Sequence, residues 1–273
     1  MVRFFLVIMK KYILIFFFSV CSCCLNAQYV QKSAGEKWGP NEELYSNYGV
    51  QVLKYLDSDM YYSAVDLLKK MIKVDCKNAN RLKDYYTLVY CYSFMGDDYF
   101  DDLALACAEY AKLRSKGIGG KRNGNDVFVF ESLGLALFDV KKDYKNATHY
   151  YELALSVSEE IRDVSWNEYM LARCHQAMNN SLLAAKFFKK AISSCCKMYN
   201  TTIGQVSSLG GDFYLLGETF YYYAHCVDYV GYEDWLYLIY LSAKCKHPKG
   251  IEEANKMDLL TNTPKFNPSS NLF

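Results

Sequence analysis

The stretch LARCHQAMNNSLLAAKFFKKAISS, Leu171 to Ser194, decides the reading of the chain. Leu171 and Ala172 are followed by His175, and beyond the turn-forming pair Asn179-Asn180 come Ala184, Phe188 and Ala191. Residues at i, i+3, i+4 and i+7 share one helix face, so the stretch predicts two helices joined by a short turn. Alanine lets two helices approach closely, and a ring on the neighbouring turn fills the gap this leaves. A hairpin with two apolar faces cannot bury both by itself, so further hairpins must stack on it.

The pattern recurs. In FYYYAHCVDYVGYEDWLYLIYLSAKCKHP, Ala224 is the expected close-contact residue, Gly231 the turn, and Leu236, Tyr240 and Ala243 the second stripe, closed by Pro248. Another copy has Leu133, Gly134 and Leu137, then Asp143-Tyr144, then Ala147, Tyr151 and Ala154, with one extra residue before the turn. An earlier one has Tyr85, Val89, Tyr92 and Gly96, then Ala104, Ala108 and Ala111 after a lengthened turn. The first has Tyr48, Val52 and Tyr55, then Tyr61, Ala64, Leu68 and Met71.

These hairpins resemble tetratricopeptide repeats (TPRs). The resemblance implies an all-α fold, a right-handed α-solenoid of about five TPR-like hairpins over residues 41–260, which includes a capping helix in IEEANKMDLL. Val52 and Val89 replace the small residue usual in the family, and His175 and Val227 stand where an aromatic is common. The second-stripe residues Ala64, Ala104, Ala147, Ala184 and Leu236 lie 40, 43, 37 and 52 residues apart, so insertions sit in the connections.

Outside the repeats, residues 1–27 read as a signal peptide. Lys10-Lys11 forms the basic region, Tyr12 to Cys24 the apolar run, and Leu25-Asn26-Ala27 a cleavage site. That run falls short of the roughly 20 residues a spanning helix needs, so no transmembrane span is expected after cleavage. The expected location is periplasmic or extracellular. Val20-Cys21-Ser22-Cys23 matches a lipid-attachment motif poorly, which leaves a lipid-anchored envelope protein as the second reading, and Met9 is an alternative start to Met1. Residues 28–40 read as a flexible lead-in, and 261–273, with two prolines and little periodicity, as a disordered tail.

Removal of residues 1–27 takes away Arg3, Lys10 and Lys11 and no acid, leaving 28 basic and 30 acidic residues. A nearly neutral chain without a basic face argues against nucleic-acid binding. Of eleven cysteines, eight lie beyond the signal segment, mostly in helices. Cys91, Cys174 and Cys226 fall in slots where the family favours alanine, so they read as small buried residues rather than disulfide partners. No metal-ligand spacing is present. The glycine-rich SKGIGGKRNGND, Ser115 to Asp126, lacks a phosphate-loop spacing and a preceding strand, so it reads as a connector. KMYNTTIGQVSSLGGD, Lys197 to Asp212, is either functional or disordered. No cofactor motif or catalytic constellation appears, and the four histidines include His175, which reads as a packing ring.

The family resemblance places a partner-binding groove on the concave face of the first helices. Counting from the close-contact residues, the candidate binding residues are Tyr86, Tyr90, Trp166, Tyr169, Arg173, Tyr221 and His225. Tyr, Trp and Arg dominate binding hot spots because they bury much area yet keep a polar handle. The family's clamp for acidic chaperone tails needs Lys, Asn and Arg where this chain carries mostly aromatics, so that activity is not carried over. The expected function is an exported scaffold or adaptor, not an enzyme, that holds a protein or peptide in an aromatic groove. The alternative is a glycan-binding accessory protein of the cell envelope.

Overall fold

A computed structural model describes residues 40–74, 78–226, 229–261, 265–270 and 272–273. The expected signal peptide and lead-in, apart from Pro40, lie outside the described residues. The described residues form helices and connections with no strand. The helices are α1 (Pro40–Asp57), α2 (Tyr61–Val74), α3 (Asn78–Met95), α4 (Phe100–Ser115), α5 (Gly124–Ala136), α6 (Tyr144–Val157), α7 (Ile161–Ala177), α8 (Ser181–Met198), α9 (Ile203–Leu209), α10 (Tyr214–Ala224), α11 (Tyr232–Lys244) and α12 (Pro248–Lys256). None of them is long and apolar enough to cross a membrane. The single repeat array expected over 41–260 divides into two compact units, one ending at Gly120 and one starting at Lys121.

In the first unit, α1 pairs with α2 and α3 with α4. Val52 of α1 and Ala64, Leu68 and Met71 of α2 are buried on the expected stripes, whereas the expected Tyr48 and Tyr55 are half-buried and Leu56 is buried beside Val52 instead. In α4 the expected stripe is wrong by one residue. Leu103, Cys107 and Tyr110 are buried, whereas Ala104 is half-buried and Ala108 and Ala111 are exposed. Both sets have the same spacing, and burial of Leu and Tyr removes far more apolar surface from water than burial of three alanines. The glycine-rich connector closes on Arg114, whose Nη1 donates to the carbonyls of Ile118 (2.8 Å) and Gly120 (3.2 Å).

In the second unit, α5 pairs with α6, α7 with α8, and α10 with α11. Ala147, Tyr151, Ala154, Leu171, Ala172, Ala184, Phe188 and Ala191 are all fully buried, as the stripes require. The extra residue before the third turn is absorbed by a π-helical turn, Leu137–Lys141, which is how a helix accommodates a one-residue insertion. Asn179, with φ 57°, supplies the left-handed residue of the fourth turn. His175 lies parallel to Phe187 at 5.5 Å, filling the aromatic slot.

Two connections differ from expectation or resolve it. Within residues 197–212, α9 is capped by a reciprocal Thr202–Gln205 box, buries Val206, and is held to α11 by a bond from the Tyr240 hydroxyl to the Ser207 carbonyl (3.0 Å). At the fifth hairpin the chain also packs closely at Gly217, about two turns before Ala224. A Cβ there would stand 2.8 Å from that of Cys245 and 3.0 Å from that of His247. The described part of the tail expected to be disordered is packed: Leu272 is 3% exposed, and Phe266 sits against Tyr237 and Tyr240. Proline and missing periodicity exclude regular structure, but they do not exclude docking in an irregular conformation. The capping helix forms as α12, with Ala254 buried and Glu252 and Lys256 exposed.

Candidate partner-binding face

The expected groove residues of the first unit are Tyr86 and Tyr90, both on α3. Tyr86 is 7% exposed and therefore a core residue. Tyr90 is half-buried in an aromatic group with Phe94 (4.8 Å) and Tyr61 of α2 (6.4 Å).

The other five lie in the second unit, where α7, α10 and α12 bring them together. The centre is Glu218, the one acid in the apolar helix YLLGETFYYYA. Its Oε2 accepts from the Tyr169 hydroxyl at 2.8 Å, and its Oε1 accepts from the Tyr214 hydroxyl at 3.0 Å. His247 Nδ1 accepts the Gly250 N–H at the start of α12, so the ring carries its proton on Nε2, 3.7 Å from Glu218 Oε1. Burial acts to raise the Glu218 pKa, but the nearby His247 ring, the bond from Tyr169 and the charge of Arg173 outweigh it and hold the carboxyl below its usual range. Burial beside that carboxylate pushes the Tyr169 hydroxyl well above its usual pKa, so it stays a donor.

Arg173, one turn after Tyr169 on α7, extends the network. Its Nη1 donates to the Tyr169 oxygen at 2.9 Å, and its guanidinium lies 3.3 Å from the Tyr222 ring centre. Gln176, near the end of the same helix, donates to the carbonyls of Tyr222 (2.8 Å) and His225 (3.0 Å) at the C-terminal end of α10, where carbonyls run out of partners within the helix. These contacts join α7 to α10. Tyr169, expected to face a partner, is 2% exposed and instead positions Arg173 and Glu218.

The accessible part of the face is carried by α10 and α12. Tyr221 and Tyr222 are half-buried, and the exposed Lys249 places its Nζ 5.6 Å and 5.7 Å from their ring centres. Tyr221 packs on His225 at 4.5 Å and donates its hydroxyl to Glu253 Oε1 at 2.9 Å. His225 Nδ1 donates to the Tyr221 carbonyl, which turns Nε2 toward Glu253 at 3.5 Å. Trp166 is half-buried against Tyr169 at 5.7 Å. The face therefore offers two cations stacked on tyrosine rings beside a histidine, an arrangement suited to a carboxylate or a ring on a partner.

Trp166, Arg173, Tyr221 and His225 are among the groove residues expected from the sequence, whereas Tyr222, Lys249, Glu253 and His247 are not. A lone acid inside an apolar helix, as at Glu218, is a sequence signal of a buried polar pair. Tyr214 is one helical turn away, but His247 and Tyr169 are 29 and 49 residues away, and no periodicity connects them.

A second polar group lies between α5 and α7. Asn167 Nδ2 donates to Glu131 Oε1 at 2.7 Å and to the Asp163 carbonyl at 2.8 Å. Burial, reinforced by the Asp163 charge, pushes the Glu131 carboxyl up to about 8.

No protein-family profile and no curated protein matches this sequence. Among solved structures, the chain is similar to TPR-like repeats of a kinesin light chain-like protein from Podosopora anserina, at 12% identity and a TM-score of 0.51, covering 82% of this chain and 98% of that one. A second structure of those nearly identical repeats aligns at 13% identity and a TM-score of 0.50, over 84% of this chain and all of the other. At these identities the likeness concerns the fold, and this chain has a TPR-like helical-repeat fold.

Proposed function

We propose that the chain is a non-catalytic interaction scaffold whose partner face is the surface carried by Arg173, Tyr221, Tyr222, His225 and Lys249. The TPR-like fold supports the scaffold role. The observation that carries the location is the pair of cations, Arg173 and Lys249, held on the Tyr222 ring beside the accessible Tyr221 and His225. Rings and cations fixed in place lose little entropy when a partner docks, which concentrates binding energy in a few residues. The partner is a protein or peptide with an acidic or aromatic anchor. Replacement of Tyr221 by a photo-crosslinking amino acid in the producing cell, with the same replacement at the exposed Leu182 of α8 as control, tests the location. A partner trapped at Tyr221 and not at Leu182 supports it, and equal trapping at both overturns it.

Export is part of the same proposal and rests on residues 10–27, which lie outside the described residues. Intact mass of the mature protein should show a start at Gln28, and a chain that keeps residues 1–27 would contradict it.

A further inference from the structure

Residues 265–270 and 272–273 occupy a seat on α10 and α11, on side chains that the partner face above does not use. Phe266 places its ring 4.9 Å from Tyr240 and 5.1 Å from Tyr237. Asn267-Pro268 follows, and the clash of a proline ring with the preceding residue favours extended backbone there. Ser269 then gives Asp234, in the first turn of α11, two bonds of 2.7 Å, one from its main-chain N–H and one from its hydroxyl. The chain turns, with the Leu272 N–H donating to the Ser269 carbonyl at 3.1 Å. The buried Tyr223 hydroxyl of α10 donates to the Leu272 carbonyl at 3.0 Å. Leu272 is buried, and Phe273 meets Phe220 edge-on at 6.1 Å.

This is how a peptide is recognised rather than how a repeat packs. Two main-chain groups, the Ser269 N–H and the Leu272 carbonyl, are read by fixed side chains. Phe266 and Pro268 are half-buried and Leu272 is buried, while Ser269, Ser270 and Phe273 stay exposed. Main-chain bonds supply affinity in such a mode, and the anchor pockets supply specificity. The seat is also preformed, since Tyr240 is tied to Ser207 of α9, and Tyr223 is fully buried against Phe188 of α8 at 5.8 Å.

We propose that this seat is a second binding site, for a peptide of the pattern aromatic-x-x-Ser-x-x-Leu, and that residues 265–273 fill it as a tethered competitor. A tethered segment acts at an effective concentration on the order of millimolar, so an outside peptide enters only when it outcompetes that segment or when the segment's anchors are lost. The site is independent of the Arg173–Tyr222–Lys249 face, and its test does not use that face.

The test uses a fluorescently labelled peptide KFNPSSNLF, read by polarisation against the full chain and against the full chain carrying Phe266→Ala and Leu272→Ala. Both substitutions leave every helix residue in place. The doubly substituted chain should bind the peptide at least tenfold more tightly than the parent, a scrambled peptide should not bind, and adding Asp234→Ala should remove at least tenfold of the gain. A substituted chain that keeps its helical signal and cooperative melt but binds the peptide no better than the scrambled one overturns the proposal. So does a substituted chain that loses its cooperative melt, because the segment would then be part of the core and not a ligand.

Discussion

Tyr169→Phe is the sharpest perturbation of the network that joins α7 to α10. The change keeps the buried ring and removes one oxygen. That oxygen donates to Glu218 Oε2 at 2.8 Å and accepts from Arg173 Nη1 at 2.9 Å, so both lost bonds involve an ionised group. Hydrogen bonds to charged groups contribute about 1.5–3 kcal/mol each, but Glu218 keeps its Tyr214 donor and Arg173 its Tyr222 ring, so an overall loss of about 2–3 kcal/mol is expected. For a domain of 150–250 residues each kcal/mol is worth about 2–4 °C, which predicts a fall in melting temperature of roughly 4–12 °C. Urea unfolding followed by far-UV circular dichroism measures the free energy, and a cycle with Glu218→Gln measures the coupling, expected to be about 1 kcal/mol or more. A variant within about 0.5 kcal/mol of the parent, or strict additivity with Glu218→Gln, would show that the network does not hold these helices together.

Three further outcomes follow from the packing and the charges. Ala184→Phe should destabilise by about 1–3 kcal/mol or more, because Ala184 is fully buried where α7 and α8 meet, and urea melts would show it. Cys174→Ala should cost less than Ala184→Phe, and reductant should leave the melting temperature unchanged, because Cys174 is buried and unbridged. The folded chain holds the Glu131 proton up to about pH 8, whereas the unfolded chain releases it near 4.5. Stability from this group is therefore fully present below the lower value and is lost as pH rises through that window. Glu131→Gln should flatten the decline in melting temperature between about pH 5 and 8, and an unchanged slope would refute the assignment.

The sequence carried the hairpins because close helix packing leaves a local mark, a small residue and a ring three or four positions apart on one face. It did so best where those residues are Gly134, Ala172, Ala184 and Phe188, with few equivalent choices nearby. In α4, Ala104, Ala108 and Ala111 imitate the same mark, and only the larger apolar surface of the neighbouring Leu103 and Tyr110 decides the register. The helix α9 did have a signal, the Thr202-x-x-Gln205 capping box before Ile203 and Val206, which a search for apolar stripes passes over. The docked segment and the Glu218 network leave no periodic trace. Each depends on pairs such as Ser269 with Asp234 or Tyr169 with Glu218, 35 and 49 residues apart, which only the fold brings together.

The proposed scaffold role requires binding energy to be concentrated on the face of Tyr221, His225 and Lys249. The direct measurement is the affinity of the partner trapped at Tyr221 for the parent chain and for Tyr221→Ala, His225→Ala and Lys249→Ala, each checked for an unchanged melt. At least one of the three should weaken binding by about 2 kcal/mol or more, about thirtyfold, while Leu182→Ala has no effect. Folded variants that all bind at the parent's affinity would contradict the claim.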